Sequence, residues 1–395
     1  MHLDLADAGF NHDPYPALEA VRSMGPLVRD EISREWLLTG YDDCARVLSN
    51  VERFTSEVPA GSGPGVFGGP VFETMDGPRH DEIRGVWARD FQRDRLERHR
   101  PMVTAVVDDA LDAFVPRVLD GETVDAVEHL TRGIPSRVIA ALLGIDDADQ
   151  ARFSAWSDAM GAVAGAFFDP SDRGRETLRV GLEATRALNA YITAEVDRRR
   201  SAPGDDLISV MLASPVSETM SEAEITANNT QLVFAGNETT AKWMAHTLVT
   251  LARHPEAGRW LAEDRTRISR ALEEVLRFET VAQVARRTVR NGDADVAGVR
   301  VAEGDVVTCL LGAADRDPAR WAAPDTFDPG RAAKTHFGFG FGLHHCIGIH
   351  LARLETGIWL DRLLERLPVW DVPSDIDYGS NFVLRGPSAV PVCRG

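Results

Sequence analysis

The sequence predicts a mainly helical (α+β) fold with small β-sheets at its margin, built as one large unit. Three observations predict it. Segments 98–120, 135–144, 148–168 and 174–200 carry apolar residues at three- and four-residue spacing between polar faces. A longer helical segment opens at Ser221, and the β-type runs are short and few, at 26–28, 36–39, 295–301 and 306–309.

At 395 residues the chain is long enough for two or three average domains. No repeat, linker or shift of composition divides it, so residues 1–395 are expected to form a single domain. Apolar residues at 44% and charged residues at 26% exclude a disordered or fibrous protein. The net charge of −18 excludes nucleic acid or an anionic membrane as the main partner, since both would repel it. Four scattered cysteines without a CxxC pair are too sparse for a disulfide framework and suit a reducing compartment. The first residues carry acids where a signal peptide needs cations, and no stretch of eighteen apolar residues occurs, so a cytoplasmic protein is expected.

Taken in order, residues 58–70 hold five glycines and three prolines, which cannot be helix. They read as a solvated connector or as a lid with apolar tips at Val66 and Phe67. His80, Arg84, Trp87 and Phe91 then fall on one helical stripe, two cationic donors followed by two aromatics. From Arg84 to Arg100 six arginines face three acids, a local +3 in an acidic protein. At Ser221, Ser and Glu224 make a capping box, and no proline follows until Pro255. Roughly thirty helical residues would span about 50 Å, the width of the whole domain. Asn228, Gln231, Ala235 and Thr239 share one stripe of this helix, with Phe234 beside them.

The densest signal is His336 to Arg353, where three Phe-Gly pairs precede Cys346 and an amphipathic stretch follows. Glycines let a backbone approach a flat ligand. A cysteine at a helix start faces free N–H groups and the positive dipole end, which favour thiolate. Two ligands call for such a thiolate: zinc, completed by His344, His345 or His350, and haem iron, whose face packs on Phe and Gly. A buried inert cysteine leaves the glycines unexplained.

Phe339-Gly-Phe-Gly342-Leu-His344-His-Cys346-Ile-Gly348 resembles the haem loop of the cytochrome P-450 family, FxxGxxxCxG, in a bacterial variant with histidine at His344. Ala235-Gly236-Asn-Glu238-Thr239-Thr240 resembles its oxygen-activation motif and Glu274-Val-Leu-Arg277 its ExxR motif, in the family's order. The resemblance runs from about Pro14 to the C-terminus. It implies the P-450 fold, with haem b between the long central helix and the cysteine loop.

By the same resemblance Cys346 ligates iron, and Phe339, His344, Gly348, Ala235 and Gly236 line the haem. His80, Arg84 and Arg287 bind its propionates, and Glu274, Arg277 and Arg331 form a structural triad. Thr239 stands at the oxygen-binding position with Glu238 as its proton relay. Substrate contacts are carried to Val66, Phe67, Gln231, Phe234, Ala235, Val281, Val284 and Phe382, with Gln231 on a polar end of the substrate. The implied activity inserts one oxygen atom from O2 into a small, largely apolar organic substrate. The alternatives are haem-thiolate chemistry without oxygen insertion, such as nitration, rearrangement or coupling, and a haem-based sensor. No flavin, nicotinamide or iron–sulfur motif is read in the chain. A separate ferredoxin or flavodoxin with its reductase is therefore implied, docking near Arg84–Arg100 and the Cys346 loop.

Overall fold

A computed structural model describes residues 2–5, 7–57, 65–146, 149–166, 169 and 171–395. Its centre is the helix Glu222–Arg253, 32 residues long. Ser221 caps it through the backbone N–H of Glu224, and Glu224 returns the bond to the N–H of Ser221, so the capping box forms as the sequence predicts. This central helix is buried along most of its length, because other helices pack around it. They include Gly133–Leu142, Gln150–Ala166, Asp172–Ser201 and Ile268–Phe278. Gly236 lets one of them come close: a Cβ there would stand 3.1 Å from Ile139 Cγ1.

The β-structure is marginal, as expected. Strands β1 (Leu27–Arg29), β2 (Trp36–Leu38), β3 (Phe54–Thr55), β4 (Val124–Asp125) and β5 (Val284–Val289) come first in the chain. Then follow β6 (Ala294–Val296), β7 (Val299–Val301), β8 (Val306–Leu310), β9 (Trp370–Asp371) and β10 (Pro391–Arg394). The largest sheet has the order β1-β2-β8-β5-β3, with β2 parallel to β8 and the other pairs antiparallel. The run 295–301, read as one strand, is instead the hairpin β6–β7. Ala297 and Gly298 at its turn both have positive φ, and alanine there carries no sequence signal. Of the loop 58–70, residues 58–64 lie outside the described residues; Phe67 is held by Asn189 Nδ2 on its carbonyl at 2.9 Å.

Two further helices position the site. Gly77–Ala88 carries His80, Arg84 and Trp87, and Ile349–Arg366 follows the cysteine. No described helix is long and apolar enough to cross a membrane.

Candidate active site

The cysteine loop is held at both ends. The N–H of Phe337 donates to both carboxylate oxygens of the buried Asp315, at 2.8 and 3.1 Å. His336 Nδ1 accepts from the N–H of Gly338, and the Cys346 N–H closes the loop on the Phe339 carbonyl at 2.9 Å. Gly340 and Gly342 adopt positive φ (68° and 71°), which no other residue type does without strain. Gly348 ends the loop as the N-cap of Ile349–Arg366.

Burial pushes the Cys346 thiol above its ordinary value. It is opposed by the N–H groups of Gly348 and Ile349 and by Arg84 and Arg353. The N–H groups at the helix start lower it as expected, but desolvation outweighs them in the protein chain alone.

Across from Cys346 the central helix closes a cavity of about 490 Å3. Ala235, Gly236 and Thr239 line one wall and Phe339, His344, Cys346 and Gly348 the other, with Val281, Val284 and Arg287 at the side. Thr239 Oγ1 donates to the Ala235 carbonyl at 3.0 Å, which leaves its oxygen free to accept. Arg287 is buried and donates from one terminal nitrogen to the Arg286 carbonyl, while its Nε has no partner.

Several predicted residues sit elsewhere. Phe382 is fully buried, and its ring packs on Phe10 at 4.7 Å, so it belongs to the core rather than to the cavity wall. Phe67 and Phe234 pack on each other at 5.7 Å, and neither they nor Val66 line the cavity. Gln231 is not free to meet a ligand with its amide nitrogen, which donates to Glu73 Oε2 at 2.8 Å. Glu238 faces away from Thr239, into a second cavity of about 240 Å3 behind the helix. There Lys242 Nζ lies 2.6 Å from its carboxylate.

His80 is buried, with its Nε2 unpartnered and its ring 4.8 Å from that of His344. Arg84 donates to the His345 carbonyl, which ties its helix to the cysteine loop. His344 Nε2 in turn meets Asp76 at 3.0 Å and Ser56 at 2.7 Å. Burial works to raise the Asp76 carboxyl, but hydrogen bonds from His344, Thr55 and Ser56 hold it far below the ordinary range.

Behind the loop, Arg277 binds Glu274 with two bonds of 2.8 Å, and Arg331 Nε reaches the same carboxylate at 3.0 Å. The pair is buried, and the arginines' other donors meet backbone carbonyls of Asp315, Pro324, Ala322 and Thr326. A desolvated pair needs such full satisfaction to be tolerated.

Sequence reading missed Glu73, Asp76, Asp158 and Glu355. Glu355 lines the cavity, fully buried, and burial pushes its carboxyl well above the ordinary value. A carboxylate one residue past Leu354 on the apolar face of the helix was its only signal. The spacing Gly63-x-Gly65-x-x-Gly68 does match GxGxxG, but it lies in the proline-rich loop rather than between a strand and a helix, so it is no dinucleotide fingerprint.

The family model described as Cytochrome P450 matches residues 36–388. The chain is 33% identical to the cytochrome P450 monooxygenase PikC of Streptomyces venezuelae, covering 99% of this chain and 94% of that protein. It is 33% identical to the mycinamicin IV hydroxylase/epoxidase of Micromonospora griseorubida, over 90% and 89% of the two chains. The structure of P450BioI in complex with a hexadec-9Z-enoic acid-ligated acyl carrier protein superposes with a TM-score of 0.89 at 27% identity, covering 98% and 99%. The thiol-bearing glycine loop, the facing threonine and the buried Glu-Arg-Arg triad thus stand in a chain that belongs to the cytochrome P450 family, the haem-iron monooxygenases.

Proposed function

We propose that the whole chain acts as one cytoplasmic enzyme that inserts an oxygen atom from O2 into a small, largely apolar organic substrate. The single observation that carries this reading is the apolar cavity between Cys346 and Thr239. The residues present suit haem b. Buried donors without partners, Arg287 Nε and His80 Nε2, match acceptor propionates, and the wall of Ala235, Gly236, Phe339 and Gly348 suits a flat apolar face.

Cys346 would hold the iron, and the group, once bound, supplies the activation of oxygen. The chain's own residues do the rest. Leu232, Ile139, Val281, Val284 and Leu311 keep water out and seat the apolar body of the substrate. Thr239, whose oxygen is free to accept, holds a proton at the cavity wall. Glu238, paired with Lys242, faces the second cavity and its polar lining of Arg132, Asp158 and Asn381, a path by which protons reach the central helix from solvent. Two electrons come from a ferredoxin or flavodoxin with its reductase. Arg93, Arg100, His350 and Arg353 line one cleft beside the cysteine helix, which suits an acidic partner.

Expression with haem, reduction and exposure to CO test the reading. The expected result is the red-shifted Soret band of a thiolate haem, absent in Cys346→Ala. A colourless protein, or the same band in both, would sink it.

A further inference from the structure

We infer that Arg353 carries the docking of an acidic redox partner into the cysteine loop: a partner carboxylate in the cleft competes with Glu273 for its guanidinium and so changes the setting of Cys346. The inference rests on the proposed function and adds a regulation of the same site.

Arg353 stands about two turns after Cys346, on Ile349–Arg366, and its side chain is 38% exposed. Its outer side lines the cleft together with Arg93, Arg100 and His350. Its inner side lies over the ring of Phe339, 4.9 Å from the centroid, where the ring face attracts a cation. Phe339 is the residue whose carbonyl accepts the Cys346 N–H at 2.9 Å, and its ring also meets Trp243 of the central helix at 5.6 Å. One side chain therefore touches both the cleft and the residue that closes the loop on the thiol.

The guanidinium is also tethered to Glu273, to which its Nε and one terminal nitrogen donate at 2.9 and 2.6 Å. Glu273 Oε2 accepts in addition from His336 Nε2 at 3.3 Å, and His336 Nδ1 accepts the Gly338 N–H at 3.1 Å. These roles agree with one another. A carboxylate only accepts, so Nε2 carries a proton and Nδ1 is left as the acceptor. Burial works to raise the Glu273 carboxyl, but His336 and Arg353 bring it down to about 2. Arg353 and His336 thus share one ionised acceptor, and each also holds part of the loop.

The charge of Arg353 is among those that favour the Cys346 thiolate. Arg100, in the same cleft, answers instead to Glu97 on the surface. A partner carboxylate that takes one of the two bonds to Glu273 draws the guanidinium outward, off the Phe339 ring, without leaving it unpaired. Glu273 keeps His336 as a donor, so no half-buried charge is stranded. The thiolate then feels less positive charge, and less positive charge favours the oxidised state of the site. By linkage the partner binds the oxidised enzyme more tightly than the reduced one, and is released once its electron has been delivered.

The midpoint potential of the holoenzyme is measured at low salt with and without saturating hexaglutamate, a colourless and redox-silent stand-in for the acidic partner. The peptide is expected to lower the ferrous-to-ferric ratio at a fixed poise about threefold, which is about 30 mV for one electron. Arg353→Gln should start from a lowered ratio and respond little further. Arg353→Lys keeps the charge but not the two-bond grip, so it should start near the wild type and lose most of the response. Arg93→Gln should weaken peptide binding yet keep the response at saturation, because Arg93 shares the cleft but not the stack on Phe339. No response in the wild type, or an equal response in either Arg353 variant, overturns the inference. The reduced CO spectrum of the same samples separates the two levels. No thiolate-haem band overturns the proposed function and this inference together, whereas a normal band with no response to the peptide overturns this inference alone.

Discussion

Asp158 shows what one buried charge does. It stands on Gln150–Ala166 at the second cavity, facing Arg132 at 3.7 Å and, on the central helix, Glu238 and Lys242. Burial raises its carboxyl from 3.8 to about 6, helped by Glu238 and opposed by Arg132 and Lys242. A folded-state pKa above the unfolded one means the folded protein binds the proton more tightly. The stabilisation is complete below pH 3.8 and is lost as pH rises through about 6. Asp158→Asn, which cannot ionise, should therefore gain stability over the wild type between pH 4 and 7, by about 2 kcal/mol once its partial exposure is discounted. Urea denaturation at a series of pH values measures this, and parallel curves would refute it. No residue pattern announced Asp158, because its shift comes first from burial, which only packing decides, and its charged neighbours Arg132 and Glu238 lie 26 and 80 positions away in the chain.

Among elements, the cysteine loop was the most legible and the most constrained. Its motif was readable because iron ligation, positive φ and close approach each demand one residue type. Gly342 shows the constraint: at φ 71° a Cβ would lie 2.4 Å from the Leu48 carbonyl oxygen, a backbone atom that cannot swing away. Gly342→Ala should cost at least about 1 kcal/mol for the left-handed backbone alone, plus the displacement of Tyr41–Ser49. Haem content and thermal midpoint should both fall, and retention of both would show that the loop adapts. The ExxR pair was equally readable as a spacing, yet its third partner Arg331 lies 57 residues from Glu274. Only the family's order suggested that contact. The hairpin β6–β7 was less legible, since a turn with Ala297 at positive φ breaks the usual Asn-Gly rule.

For the whole molecule, the net charge of −18 is unevenly spread. Arg89, Arg93, Arg98 and Arg100 are exposed, and the cleft that holds Arg93 and Arg100 also holds His350 and Arg353 from the turn after Cys346. Part of this charge is offset locally, by Glu97 on Arg100, by Asp90 on Arg98 and by Glu273, in the same cleft, on Arg353. Reversing Arg93 and Arg100 to Glu should slow reduction by an acidic ferredoxin and flatten its salt dependence, because steering fades beyond about 10 Å at 0.1 M salt. Stopped-flow reduction at rising ionic strength checks this. An unchanged rate would move the docking surface elsewhere.

The helical frame, the capped central helix, the thiol-bearing loop and the order of the motifs are all written in the amino-acid sequence. Each is local, written in spacings of a few residues that helix and turn geometry translate directly. Which side of each helix looks into which space depends on how the elements pack. Thr239 and Glu238 are neighbours in the chain, yet they open on different cavities. Glu73 meets Gln231 across 158 residues. A helix turns its side chains by about 100° per residue, so a motif names residues on several faces at once. Only the packing of the other elements around it settles which of those faces meets a ligand.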